Sequence, residues 1–285
     1  PTIRGYTILG EIGRGATGVV YRARHEALKR VVALKILSIG EEGPAVLLGE
    51  AEAVAKLHHP NIVQIFEVGE GEGPAYLTLE YVAGGNLRTR IEGKPQPIRA
   101  AARLIETLAR AVQAAHARGL IHRDLKPGNV LLGMADPAAD EEPGEDVTAY
   151  GVAKIAEFGL AMKLDRDDVW GCGIELAGTP QYMAPEQARG LAEQFGPGVD
   201  IYALGAILYE MLTGRLPIVG KTLDRLLTAI ASESPVPPRQ VRPAIPRDLE
   251  TICLKCLAKD PRDRYRTAGA LANDLHRFLQ GEPVK

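Results

Sequence analysis

The chain has 285 residues, 46% hydrophobic and 25% charged, with a formal net charge of −2. That balance is ordinary for a globular protein and excludes a strongly basic nucleic-acid binder, since no long-range positive field would draw such a partner in. Three cysteines cannot pair fully within the chain and suit a reducing compartment, and no apolar run approaches the ~20 residues that span a bilayer.

The first third reads as strands. Tyr6–Leu9, Val19–Ala23 and Val31–Ile36 are short, rich in β-branched or aromatic residues, and bounded by glycines and charges. A helix is expected from Ala45 to Leu57, ended by His58-His59-Pro60-Asn61. Two more strands are predicted, Ile62–Val68 and Ala75–Tyr81, before Gly84-Gly85 breaks the pattern. From Arg99 to Ala117 apolar residues recur at three- and four-residue spacing, which predicts a long helix; Ile201–Leu212 and Leu249–Leu257 read the same way. The fold class is therefore α+β and bilobal, with a β-rich lobe over residues 1–82 and a mainly helical lobe over 83–285. Residues 136–146 hold six acids and two prolines and read as a solvated loop. No signal peptide is visible in the sequence, and a start at Pro1 rather than Met reads as a piece of a longer protein.

Four groups of residues carry chemistry. Gly13-Arg14-Gly15-Ala16-Thr17-Gly18 is followed by Val19-Val20-Tyr21, a strand, so it reads as a hairpin whose backbone N–H groups can approach phosphate. Lys35, on an apolar strand, either snorkels at an edge or pairs with an acid and a phosphate, and Glu50 on the following helix is a suitable acid. His122-Arg123-Asp124-Leu125-Lys126-Pro127-Gly128-Asn129 puts a carboxylate, a cation and an amide on one short loop. Those are the parts that phosphoryl transfer to a hydroxyl requires: Asp124 for the proton, Lys126 for the moving charge, Asn129 for a metal ion. The fourth is Glu157-Phe158-Gly159, whose carboxylate is the expected second metal ligand.

With these in place the chain resembles the eukaryotic-like serine/threonine protein kinases, in their bacterial branch, over nearly its full length. Thr179–Glu186 is similar to the family's substrate-docking loop and A-P-E motif, Asp200–Gly205 to the buried anchor under the catalytic loop, and Asp260–Tyr265 to the late motif whose Arg264 pairs with Glu186. Lys126 resembles serine/threonine rather than tyrosine specificity. The resemblance implies ATP with Mg²⁺, or Mn²⁺, as cofactors and a protein as substrate. It implies that Ile12, Gly13, Gly15, Gly18, Val20, Ala33, Lys35, Leu79, Glu80, Val82, Asn86 and Leu131 bind nucleotide. Leu79 would be the gatekeeper, Glu80 and Val82 would offer backbone to adenine, and Val54, Ile65, His122 and Phe158 would stack between the lobes. The expected compartment is the cytoplasm. The sequence gives no oligomeric state.

Three departures qualify the resemblance. Glu157 stands where the family has Asp, which keeps the charge but adds a methylene in a site where Mg²⁺ demands strict geometry. The interval from Asn129 to Glu157 is about twice that expected of a tight hairpin. Residues 160–178 contain no Ser, Thr or Tyr, so Arg123 has no phosphorylatable partner there; either Asp167, Asp168 or Glu175 supplies a fixed charge instead, or the segment is expected to be disordered. Cys253 and Cys256 read as buried thiols, and Cys172 as a redox-sensitive candidate. Two further readings stand beside the protein kinase: a nucleotide-binding pseudokinase acting as a scaffold, which Glu157 favours, and a small-molecule kinase, which would not need the docking loop.

Overall fold

In a computed structural model, residues 3–15, 18–38, 51, 54–71, 73–133, 150–158, 180–191 and 195–285 are described. Five strands form one antiparallel sheet: β1 (Tyr6–Gly15), β2 (Gly18–His25), β3 (Arg30–Leu37), β4 (Ile65–Gly71) and β5 (Gly73–Glu80), in the order β1-β2-β3-β5-β4. β1 and β2 form a hairpin that closes with Gly15 opposite Gly18, so the glycine-rich run lies between two strands and not before a helix. Gly18 is required there. Its φ is +142°, and a Cβ would collide with the Ile36 carbonyl oxygen of the neighbouring strand. β4 begins at Ile65, three residues later than predicted, because residues 61–63 bond elsewhere. Val63 N–H donates to the Ile155 carbonyl and Ile155 N–H to the Asn61 carbonyl, both at 2.9 Å, which ties this lobe to the next. Of the helix predicted over 45–57, only residues 51 and 54–57 are described, with 51, 54 and 55 helical.

The chain then passes Gly84, where any Cβ would strike the Leu132 carbonyl oxygen, into a helical lobe. Its elements are α1 (Leu87–Ile91), α2 (Ile98–His116), the small ladder β6 (Val130–Gly133) with β7 (Val152–Ile155), α3 (Pro185–Ala188), α4 (Gly198–Thr213), α5 (Leu223–Ser232), α6 (Pro238–Val241), α7 (Arg247–Cys256) and α8 (Ala268–Gln280). α2 buries the stripe Leu104, Ile105, Leu108, Val112 and Ala115, as its spacing requires. α4 is apolar on every side and almost wholly buried, so it is the axis on which the lobe packs; Gly214, at φ +71°, ends it. The sequence reading assigns no helix at 223–232 or 268–280. Both start at a threonine whose hydroxyl accepts a backbone N–H, Thr222 from Arg225 and Thr267 from Ala270, and both are amphipathic. Cys253 and Cys256 are buried free thiols, as expected. No helix among the described residues is long and apolar enough to cross a membrane.

Candidate active site

The catalytic-loop residues are held from below by one carboxylate. Asp200, in the first turn of α4, is fully buried and accepts the backbone N–H of His122 at 2.9 Å and of Arg123 at 2.8 Å. His116, at the end of α2, donates Nε2–H to the same carboxylate at 2.7 Å. Arg123 takes the left-handed conformation, φ +67°, which only a firmly bonded loop holds for such a side chain. Its carbonyl accepts the Gln187 amide at 2.8 Å, linking the loop to α3. Its buried Nε has no partner among the described residues.

On this support three predicted residues converge. Lys126 Nζ lies 2.6 Å from Asp124 Oδ2. The Asn129 amide donates to the Asp124 carbonyl at 2.8 Å and approaches its carboxylate at 3.3 Å. Since the amide nitrogen is engaged, the Asn129 oxygen is the atom left for a cation. The Asp124 side chain is 42% exposed, as a group that must meet a substrate should be.

The segment before Glu157 is pinned to the same loop. Ala156 N–H donates to the Asn129 carbonyl at 2.8 Å, and the Ala156 carbonyl accepts His122 Nε2–H at 2.9 Å. His122 and Phe158 of the expected column meet edge to face at 4.7 Å, and Val54 and Ile65 are buried in the same large cluster as Phe158. Glu157 also has a positive φ, +63°. Its Oε1 lies 2.7 Å from the ammonium of Lys35, which is only 2% exposed. Burial pushes the Glu157 carboxyl up, but the charge and hydrogen bond of Lys35 outweigh it, with Lys126 and His122 adding, and hold it below the ordinary carboxylate value. The partner that Lys35 has among the described residues is thus Glu157. Glu50, its expected partner, lies outside them.

The predicted nucleotide-lining positions fall on both lobes. Ile12, Gly13 and Gly15 are on β1, Gly18 and Val20 on β2, Ala33 on β3, and Leu79 and Glu80 on β5. Val20 is registered opposite Lys35, and Ala33 opposite Leu79. Ile12 is 49% exposed at the sheet edge. Across the cleft, Asn86 bridges to Leu131, and Asn86 also caps α1 by accepting the Thr89 N–H at 3.0 Å. Val82 lies between Glu80 and Gly84, half-buried. Sequence reasoning missed one ion pair here, Lys154 with Glu80 at 3.0 Å, which clamps β7 to the end of β5. It missed His116 as well; a histidine ending an apolar helix is a weak signal.

The docking region is firm where it is described. Glu186 and Arg264 form a buried two-bond pair at 2.7 and 2.8 Å, and the Tyr182 hydroxyl donates to Glu210 at 2.6 Å. Burial, with the nearby Glu210 charge, pushes the Tyr182 phenol well up. Thr179, Cys172, Asp167, Asp168, Glu175 and the acidic run 136–146 lie outside the described residues.

Among the described residues no three His, Cys, Asp or Glu side chains gather as a metal cluster. The oxygen donors on the catalytic loop and at Glu157 suit a hard divalent ion shared with a phosphate, which is what Mg²⁺ and Mn²⁺ prefer. The residues present fit such a group.

The comparisons agree with this geometry. The family model described as "Protein kinase domain" matches residues 6–276. A probable serine/threonine-protein kinase of Clostridium perfringens is 34% identical over 98% of this chain and 39% of its own length. Serine/threonine-protein kinase PknB of Mycobacterium tuberculosis is 37% identical over 96% of this chain and 43% of its own. The chain thus spans about two-fifths of these relatives. A crystal structure of Rad53 residues 1–466 with AMP-PNP superposes with a TM-score of 0.76 and 27% identity, over 95% of this chain and 64% of that one.

Proposed function

The chain belongs to the protein kinase domain family, and on that premise we propose that it is a serine/threonine protein kinase that moves the γ-phosphoryl group of ATP to protein hydroxyls. The observation that carries the proposal is the loop hung on Asp200, with Lys126 and Asn129 each within hydrogen-bond reach of Asp124. Asp124 orients the attacking hydroxyl and accepts its proton as oxygen bonds to phosphorus and ADP leaves. Lys126 turns from Asp124 to the transferring phosphoryl charge. Lys35 faces the α- and β-phosphates, with Glu50 as its partner on the helix behind. Asn129 and Glu157 would hold a divalent ion, Mg²⁺ or Mn²⁺, which would supply neutralisation of phosphate charge.

Adenine fits between Val20 and Ala33 above and Leu131 below, beside Leu79, with the backbone of Glu80 and Val82 along its edge and Asn86 toward the ribose. Ile12, Gly13, Gly15 and Gly18 cover the phosphates. We set the lobe boundary at 82/83 and place the domain in the cytoplasm, where ATP is available. A protein substrate, rather than a small molecule, is favoured by the rigid seat that Glu186, Arg264, Tyr182 and Glu210 make at the docking loop.

The test is transfer of labelled γ-phosphate to a generic basic protein, with Asp124→Asn as the blank. Loss of the base costs about 10²- to 10⁴-fold, so the native chain should stand well above it. Glu157→Asp should transfer faster still, by up to about 10²-fold, since small misplacements of catalytic groups cost that much. A native chain at the blank level that Glu157→Asp revives would hand the lead to the scaffold reading, which Glu157 favours.

A further inference from the structure

The last carbonyls of a helix have no helical partner, and at the end of α5 two cations take them up. Lys259 Nζ donates to the Ile230 carbonyl at 2.8 Å, and the Arg189 guanidinium donates to the next one, that of Ala231. A third cation stands close by. Arg264 donates to the carbonyl of Lys259 at 3.2 Å and lies over the Tyr202 ring, which Lys259 Nζ faces at 5.9 Å. Arg264 is answered by Glu186, but Lys259 pairs with no carboxylate among the described residues; Glu233, the acid whose charge bears on it, gives only a distant pull. The half-buried amine is therefore freer to lose its proton than a lysine in water, and burial, Arg264 and Arg189 together bring its pKa to about 8. At neutral pH that leaves about 10²-fold more free amine than an ordinary lysine has. Arg189 also lines an open groove of about 410 Å³ between α3 and α5, with Asp224, Thr228 and Ser232.

We propose that Lys259 is an acylation site, which takes an acyl group from an anionic acyl phosphate drawn in by Arg189. The Nζ lone pair attacks the acyl carbon and an N–C bond forms. The bond from that carbon to the phosphate oxygen breaks, phosphate leaves with the electron pair, and the spare proton on nitrogen passes to water. Arg189 is a positioning residue here, attracting the donor and the departing phosphate. The product suits its place. An amide keeps one N–H for the Ile230 carbonyl, while the charge that stood beside Arg189 and Arg264 is gone. The step uses no nucleotide and is independent of the phosphoryl-transfer reading.

The experiment treats the native chain and Arg189→Gln, each checked for a cooperative thermal melt, with acetyl phosphate and, separately, with an uncharged acetyl ester. Peptide mass spectrometry reads the initial rates at Lys259 and at the exposed Lys221. With acetyl phosphate near neutral pH, Lys259 of the native chain should react about 10-fold faster than Lys221, since partial burial offsets some of its gain in free amine. Its rate should level off above about pH 8, where the amine is already free. In Arg189→Gln the levelling point should move up, and acetyl phosphate should react about 10-fold more slowly. On the plateau the uncharged ester should react equally with both proteins. A folded native chain that is acetylated at Lys259 no faster than at Lys221 overturns the site. An Arg189→Gln chain slowed equally toward both donors, with its levelling point unmoved, overturns the role of Arg189 and with it the anionic donor.

Discussion

The Arg264–Glu186 and Lys35–Glu157 pairs each join a cation to a glutamate at 2.7 Å, one under the docking loop and one in the cleft. In the first, both side chains are essentially inaccessible, the two ions share two hydrogen bonds, and Arg264 also donates to the carbonyls of Ala258, Gly198 and Lys259 and lies over the Tyr202 ring. Every donor has an acceptor, so the pair has one arrangement. In the second, Lys35 is buried but Glu157 is 39% exposed and offers a single bond. A pair open on one side can change partners. The difference separates a part of the molecule that fixes shape from a part that has to let a ligand in.

The largest effect should come from breaking the closed pair. Arg264→Ala leaves the Glu186 carboxylate buried and unpaired, and about 3–5 kcal/mol of stability should be lost, read from the shift of a urea unfolding midpoint. Replacing both partners, Arg264→Met with Glu186→Leu, should recover a good part of that. A loss under about 1 kcal/mol for the single variant would mean that the pair tolerates opening as the cleft pair does. Glu157→Gln should cost much less, about 1 kcal/mol, because its amide oxygen still accepts from Lys35 and the lost charge was partly in water. Equal losses for the two variants would erase the distinction.

The sequence made the fold and most of the site legible because both rest on local rules. Gly13-x-Gly15 leading into a strand predicts a hairpin, and the structure has one; the loop from His122 to Asn129 names its own chemistry. Asp200 is the anchor that the family resemblance implies, and it bonds to two loop amides and a histidine. What stayed hidden depends on distance along the chain. Nothing local in Lys154 points to Glu80, and nothing in Val32-Ala33-Leu34-Lys35 says that the lysine will find Glu157, 122 positions away. The start of β4 differs from the sequence expectation for the same reason: residues 61–63 look like strand and do bond as strand, but to β7.

Lys259 offers the finest test, since it borders the closed pair yet pairs with no carboxylate among the described residues. Its ammonium donates to the Ile230 carbonyl at 2.8 Å and lies over the Tyr202 ring at 5.9 Å. Burial first, and then the charges of Arg264 and Arg189, push its pKa from 10.5 down to about 8, against a smaller opposing pull from Glu233. Below pH 8 both the folded and the unfolded chain carry this proton, and the fold bears a constant cost. Between about 8 and 10.5 the folded chain releases it while the unfolded chain keeps it, so stability rises with pH. Above that window both are neutral and the cost is gone. Lys259→Met removes the titration. Its stability relative to the native chain should therefore be greatest near pH 7 and decline by about 1 kcal/mol or less, after solvent screening, as the pH passes through the window. Thermal melts of both proteins across that range would show it. A difference that stays flat would mean that Lys259 holds its proton as a free lysine does, and that the positive field around Arg264 is fully absorbed by Glu186.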